Sequence, residues 1–258
     1  MAMSNDDPRK AVVVALVLCL VCSVVVSTAS VVLRPLQEAN RALDRRVNIL
    51  DVAGLLQPGA DVDVLFERFE TRVVDLASGE FSDAVDPLLY DQRRAARDPD
   101  LGEELAADSD PANIGRRARL ATVYLLREGG DIVRVILPVH GYGLWSTMYG
   151  FLALEGDLNT VVGLRFYEHA ETPGLGAEVD NPLWRRRWEG KMVYDESGVP
   201  RIEVVKGSVD PASPDARHQV DGLAGSTLTG RGVTNLLRYW LGDDGFGRFI
   251  ARLRSRST

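Results

Sequence analysis

Residues 147–168 read TMYGFLALEGDLNTVVGLRFYE. Two apolar-rich runs, 147–155 and 160–168, flank Gly156-Asp157-Leu158-Asn159, a turn signal of the kind that joins antiparallel strands. In the second run Val162, Leu164 and Phe166 alternate with Val161, Arg165 and Tyr167, which predicts a sheet with two unlike faces. The same grammar extends upstream. ATVYLLRE (121–128) and IVRVILPV (132–139) flank Gly129-Gly130, a second hairpin signal. Downstream, NPLWRRRWEGK (181–191) predicts a short basic helix and RIEVVKGS (201–208) a further strand. The chain then turns helical: Val233, Leu236, Leu237 and Trp240 share one helix face, Gly242 to Gly247 interrupt it, and Phe249, Ile250 and Leu253 resume it.

Ahead of the strands the pattern is different. Asp61 can cap a helix whose apolar positions Leu65, Phe69, Val73 and Leu76 recur at helical spacing, with Ser78-Gly79 as its end. Residues 86–118 are rich in Pro, Asp and Arg and predict a long surface connection with short helical pieces. Helical segments, then antiparallel strands, then terminal helices define an α+β fold class rather than an alternating parallel-sheet fold.

Residues 11–33, AVVVALVLCLVCSVVVSTASVVL, carry no charge. At 1.5 Å per residue they reach roughly 34 Å, enough to cross a bilayer core of about 30 Å. A cleaved signal peptide is the competing reading, because Ser27 and Ala29 fit a small-x-small cleavage site. The apolar run continues past that site through Leu33, which favours an uncleaved transmembrane anchor. Arg34, Arg41, Arg45 and Arg46 follow the span and Arg9 and Lys10 precede it. Taken literally, that count favours the large domain inside, although long domains translocate largely regardless of charge. The expected organisation is a cytoplasmic N-terminus (1–10), an anchor (11–33), a juxtamembrane segment (34–60), a helical part (61–118) and a β-rich core with C-terminal helix (119–258).

Thirty basic against 37 acidic residues give a net charge of −7 over 258 residues. A chain of that balance lacks the basic face that phosphate backbones require, so nucleic acid is not expected as a partner. Removing residues 1–33 takes away two charges of each sign and both cysteines, Cys19 and Cys22. The remaining domain has no thiol for a disulfide, zinc-thiolate or iron–sulfur site. Its histidines are His140, His169 and His218, and only His169, beside Glu168 and Glu171, suggests a metal fragment; a surface histidine is the plainer reading.

The informative loop is Asp221-Gly222-Leu223-Ala224-Gly225-Ser226-Thr227-Leu228-Thr229, followed by Gly230 and Gly232. One reading is a capping segment, in which Thr227 or Thr229 caps the terminal helix. The other is anion binding by backbone N–H groups at a helix N-terminus. DGLAGSTLT also resembles the flavinylation motif of the FMN-binding domain family, usually D-G-x-[ST]-G-A-T. Residues 48–56, 72–81, 141–154 (GYGLWSTMYGFLAL), 166–178 (FYEHAETPGLGAE) and 204–210 extend the likeness over nearly the whole chain. Together they resemble the C-subunit family of bacterial sodium-translocating NADH:quinone reductases. Ala224 stands where that family has Ser or Thr, and Ser226 where it has Ala.

The resemblance implies a covalent FMN, joined through its phosphate to the Thr227 hydroxyl by an FMN transferase. It implies that Asp221, Leu223, Gly225 and Ser226 shape the attachment loop. Glu171, Thr172, Gly174 and Leu175 would lie beside the flavin, with Leu175 packed on the ring. Gly143, Leu144, Trp145 and Ser146 would form a second wall, where Trp145 is either a flavin neighbour or a core residue. Lys206 would bond the phosphate or ring edge, or be a solvated strand-end lysine. No catalytic side chain and no metal are implied on this chain. The implied role is one-electron relay on the path from NADH to ubiquinone, coupled to sodium export. It would be played in a six-subunit complex of the bacterial inner membrane, with this domain in the periplasm. An Rnf-type ferredoxin:NAD oxidoreductase flavin subunit is the alternative within the fold, and a membrane-anchored scaffold the alternative outside it.

Overall fold

The computed structural model describes residues 8–256; residues 1–7, most of the expected cytoplasmic N-terminus, lie outside the described residues. The chain divides into two compact units, Met1–Arg45 and Arg46–Thr258. Among the described residues, helix α1 (Pro8–Val52) alone is long and apolar enough to cross a membrane. It ends where Gly54 adopts φ +69°, with Gly54 N–H on the Asp51 carbonyl and Leu55 N–H on the Leu50 carbonyl. This is the double hydrogen bond by which a left-handed glycine closes a helix.

In the second unit α1 is followed by α2 (Val62–Phe66), β1 (Phe69–Asp75), β2 (Glu80–Phe81), α3 (Gln92–Arg97), β3 (Gly102–Glu104) and β4 (Arg116–Ala118). Next come β5 (Leu120–Glu128), β6 (Asp131–Tyr142), β7 (Thr147–Glu155), β8 (Val161–Glu168) and α4 (Pro182–Arg185). The series closes with β9 (Glu203–Val204), β10 (Gln219–Val220), α5 (Thr227–Leu241) and α6 (Gly247–Arg256). The main sheet has the order β2-β1-β5-β6-β7-β8, with antiparallel neighbours throughout. Both hairpins read from the glycine-rich turns are present, as is the break between α5 and α6.

Two expectations are corrected. The helix expected to run from Asp61 through Leu76 stops at Phe66. Asp61 does cap it, its carboxylate accepting from the Asp63 and Val64 amides, but Phe69–Asp75 is a strand. The spacing of Phe69, Val73 and Leu76 fits a helix, yet in β1 Phe69 and Val74 serve opposite faces of the sheet. A strand buried on both faces loses the clean alternation that identifies it. RIEVVKGS keeps only Glu203–Val204 as strand, paired in parallel with Gln219–Val220.

Each sheet face has its own cover. Val123, Leu125, Val135, Leu137, Leu152 and Leu164 pack against Val233, Leu236 and Trp240 of α5 and Phe249 and Ile250 of α6. On the other face Tyr124, Ile136, Phe151 and Ala153 meet Ile49, Leu50 and Val52 from the end of α1, with Leu65 and Phe66 beside them. Ile49 and Leu50 are fully buried. Each contributes roughly 1.5–3 kcal/mol through burial alone. Asp51, next to them, pairs with Arg165 of β8 and Arg185 of α4.

Candidate functional site

The loops that the sequence singled out gather at one end of the main sheet. β6 ends at Tyr142, which pairs with Thr147, and the turn 143–146 between them is closed by Gly143 N–H on the Ser146 carbonyl at 2.9 Å. The Ser146 hydroxyl oxygen accepts from the Ala170 amide at 2.8 Å, joining this turn to the segment after β8. Residues 171–176 then fold back, with Leu175 and Ala177 N–H both on the Thr172 carbonyl at 3.1 Å. Gly174 takes φ +73°, a conformation that makes glycine the fitting residue there.

Glu171 is the hub of these loops. Its Oε1 accepts from the Leu144 amide at 2.9 Å and the Trp145 amide at 3.0 Å, and its Oε2 accepts from the Thr229 hydroxyl of α5. Glu171 is 5% exposed and Thr229 fully buried. Two glycines make room for it. A Cβ on Gly143 would stand 2.5 Å from Oε1, and one on Gly176 2.5 Å from Oε2. The carboxylate is thus enclosed by the 143–146 turn, the 171–176 loop and the first turn of α5.

The 221–229 loop is held from behind. Asp221 accepts the Val209 amide at 2.7 Å and pairs with Arg187, and its carbonyl accepts from the Trp184 indole at 2.8 Å. Asp221 therefore anchors the loop rather than facing Thr227. Leu223 is buried in the core, and Gly222 N–H bonds the Gly207 carbonyl at 2.7 Å. That contact sets Lys206, which is exposed, in the strand-end segment next to the loop. Gly225 has φ +72°, and a Cβ there would lie 2.8 Å from Leu175 Cδ2, so the 221–229 loop and the 171–176 loop touch.

Ser226 precedes α5 and is buried, but its side chain makes no capping bond. Thr227 is the first residue of the helix, and Thr229 is committed to Glu171. The expectation that Thr227 or Thr229 caps α5 is therefore not met. The Thr227 side chain is exposed, and among the described residues its hydroxyl has no hydrogen-bond partner. The first N–H groups of an uncapped helix face outward with the positive end of the helix dipole. Around this point Trp145 is 63% exposed, Leu175 42% and Leu228 52%. Trp145 is thus a surface residue, not a core one.

These features suit a flavin mononucleotide: free N–H groups at a helix start and a nearby lysine for phosphate, and exposed apolar side chains for a ring. The metal fragment is otherwise engaged. His169 Nδ1 accepts from the Glu171 amide at 3.2 Å, leaving Nε2–H to donate to Asp180 at 2.8 Å. Among the described residues no group of three or more His, Cys, Asp or Glu could hold a metal ion. Nearby, the His140 ring lies between Tyr149 (5.3 Å) and Trp240 (4.8 Å). Burial, and then the Arg93 guanidinium, push its pKa down to about 4.

Sequence reasoning missed the part played by Thr229, Gly143, Gly176 and Gly232. The available signal was glycine inside a helix. Gly costs about 1 kcal/mol there relative to Ala, so Gly230 and Gly232 in α5 mark close approaches. A Cβ on Gly232 would stand 2.5 Å from the Tyr142 carbonyl oxygen.

The fold and this loop cluster define an FMN-binding domain: the family of that description matches residues 143–242. Over the whole chain, the Na(+)-translocating NADH-quinone reductase C-subunit of Pseudomonas aeruginosa is 56% identical, covering 97% of this chain and 98% of that protein. Its counterpart in Vibrio parahaemolyticus is 49% identical over 98% of each. The crystal structure of Shewanella oneidensis NqrC superposes with a TM-score of 0.77 at 32% identity, covering 84% of this chain and 99% of that one. The chain belongs to the C-subunit family of the Na(+)-translocating NADH-quinone reductases.

Proposed function

We propose that this chain is the single-span, flavin-carrying electron-relay subunit of a sodium-exporting NADH:ubiquinone reductase, with FMN held as a phosphoester on Thr227. One observation carries the reading: an exposed threonine hydroxyl with no hydrogen-bond partner among the described residues, at an uncapped helix start, with exposed apolar side chains on it and on the adjoining loops. The relatives' name supplies the complex, which implies further subunits, six in all on the family's pattern. The bound FMN would supply one-electron chemistry; the protein would position it and tune its surroundings.

A threonine hydroxyl is a weak nucleophile, and the carboxylate at this end of α5, Glu171, is taken by Thr229. Activation therefore falls to an external FMN transferase. With FAD as donor, the Thr227 oxygen loses its proton and bonds the FMN phosphorus, and the pyrophosphate bond breaks to release AMP. Ala224, Gly225, Thr227 and Leu228 are exposed, which leaves room for that enzyme. Residues 11–33 would cross the inner membrane once, with the domain in the periplasm. The arginine count opposes this orientation, but a covalent link suits a compartment where a lost flavin is hard to replace. A C-terminal alkaline phosphatase fusion reads the orientation directly.

The central test is flavin fluorescence in a denaturing gel after co-expression with the matching transferase. Wild type and Thr227→Ser should give a fluorescent band, Thr227→Ser more weakly, and Thr227→Ala none. A band that survives in Thr227→Ala would remove Thr227 from the reading, and no band in wild type would leave the scaffold alternative.

A further inference from the structure

Glu171 is unusual among the acidic residues of this domain. It is almost completely buried, and among the described residues it forms no ion pair. Three neutral donors satisfy it instead: the Leu144 and Trp145 amides and the Thr229 hydroxyl. In all three bonds the carboxylate oxygens accept, and no cationic side chain stands against them among the described residues. Through Thr229 the carboxylate is tied to the first turn of α5. The enclosure is built around the charge, since Gly143 and Gly176 each leave the space that a Cβ would need within 2.5 Å of a carboxylate oxygen.

We infer that Glu171 is a positioning residue that also places a negative charge without an ion-pair partner behind the loops and helix start that would hold the flavin, and so holds the flavin's reduction potential down. The inference rests on the proposed attachment at Thr227, two residues before Thr229. The placement follows from the contacts. The carboxylate binds the wall that carries Trp145, its own loop carries Leu175, and it binds the helix that starts at Thr227. An anion in such a dry setting is weakly screened, and adding an electron next to it is disfavoured. Solvent-exposed acids elsewhere on the domain have no comparable effect, because water and salt screen them.

The test uses the full chain, co-expressed with the transferase and purified in detergent, with the flavin potential read by spectroelectrochemistry. Glu171→Gln keeps the shape: its carbonyl oxygen accepts the two amides, its amide donates to the Thr229 oxygen, and only the charge is lost. The expected result is a fluorescent band, so that a potential can be read, and a potential moved to more positive values. Thr229→Val keeps the charge but removes one donor that neutralises it, so the potential should move the other way. Glu128→Gln, an equal charge change at the far β5–β6 hairpin, should leave the potential unmoved. A Glu171→Gln potential equal to that of Glu128→Gln, or a positive shift in Thr229→Val, overturns the inference. Either variant alone suffices if the other fails to fold. Failure of the attachment reading shows separately, as a missing wild-type band or a band that persists in Thr227→Ala.

Discussion

Gly232→Ala sets two effects of opposite sign against each other. Gly232 lies in α5 with helical backbone, so alanine gains about 1 kcal/mol of helix propensity. Its Cβ, however, would stand 2.5 Å from the Tyr142 carbonyl oxygen and 3.0 Å from Gly143 Cα. Both are backbone atoms at the start of the 143–146 turn, held by the pairing of Tyr142 with Thr147, and neither can swing aside. Overpacking of a tight contact costs typically 1–3 kcal/mol, and a rigid backbone neighbour puts this case near about 3. The net loss is about 2 kcal/mol. For a unit of this size that lowers Tm by roughly 4–8 °C. Thermal unfolding of the full chain in detergent, followed by near-UV circular dichroism, measures it. Gly230→Ala is the internal control, since its Cβ would meet the Val204 side chain at 3.1 Å, which can yield. That variant should stay within about 0.5 kcal/mol of wild type. If Gly232→Ala melts at or above the wild-type temperature, α5 does not bear on the turn as described.

Two further outcomes follow from charges in the same unit. The folded-state pKa of His140, about 4, lies below the ordinary value of 6.5, so the unfolded chain takes up its proton first. The stability it supports is complete above pH 6.5 and falls as pH drops toward 4, by about 2 kcal/mol between pH 7 and pH 5. Urea unfolding at the two pH values should show that loss, and His140→Phe, which keeps the ring between Tyr149 and Trp240, should remove most of it. Asp51→Asn strips the partner from Arg165 and Arg185, whose Nε atoms are already buried without a hydrogen bond. A loss of about 1–3 kcal/mol in the same assay is expected, and an unchanged urea midpoint would show that the pairs contribute nothing.

The sheet was legible because its turns are. Gly129-Gly130 and Gly156–Asn159 force the chain to reverse, and the runs between them have few other options. The strand β1 was not, because a strand with apolar residues on both faces imitates a helix when read at every fourth position. The role of Asn48–Val52 was hidden for a related reason: the polar continuation of a long apolar helix gives no sign of which turn will be buried against a sheet formed much later in the chain. At the site, the glycine-rich loop that opens α5 could be picked out from DGLAGSTLT. The link between Glu171 and Thr229 could not, since it joins residues 58 positions apart through a single hydrogen bond. Glycine marked the spot without naming the partner.

The α1 end that covers one sheet face also sets an order of events during synthesis. Leu50 must wait for Ile136, Phe151 and Ala153 before its surroundings exist. With chains elongating at about 5–20 residues per second, the roughly 100 intervening residues take some 5–20 s to appear. Throughout that interval Ile49, Leu50 and Val52 trail behind the long apolar stretch of α1 without their cover. The step that ends their exposure is the arrival of β6 and β7, so slow synthesis across residues 131–155 prolongs the period when this chain is open to aggregation or to a holding chaperone.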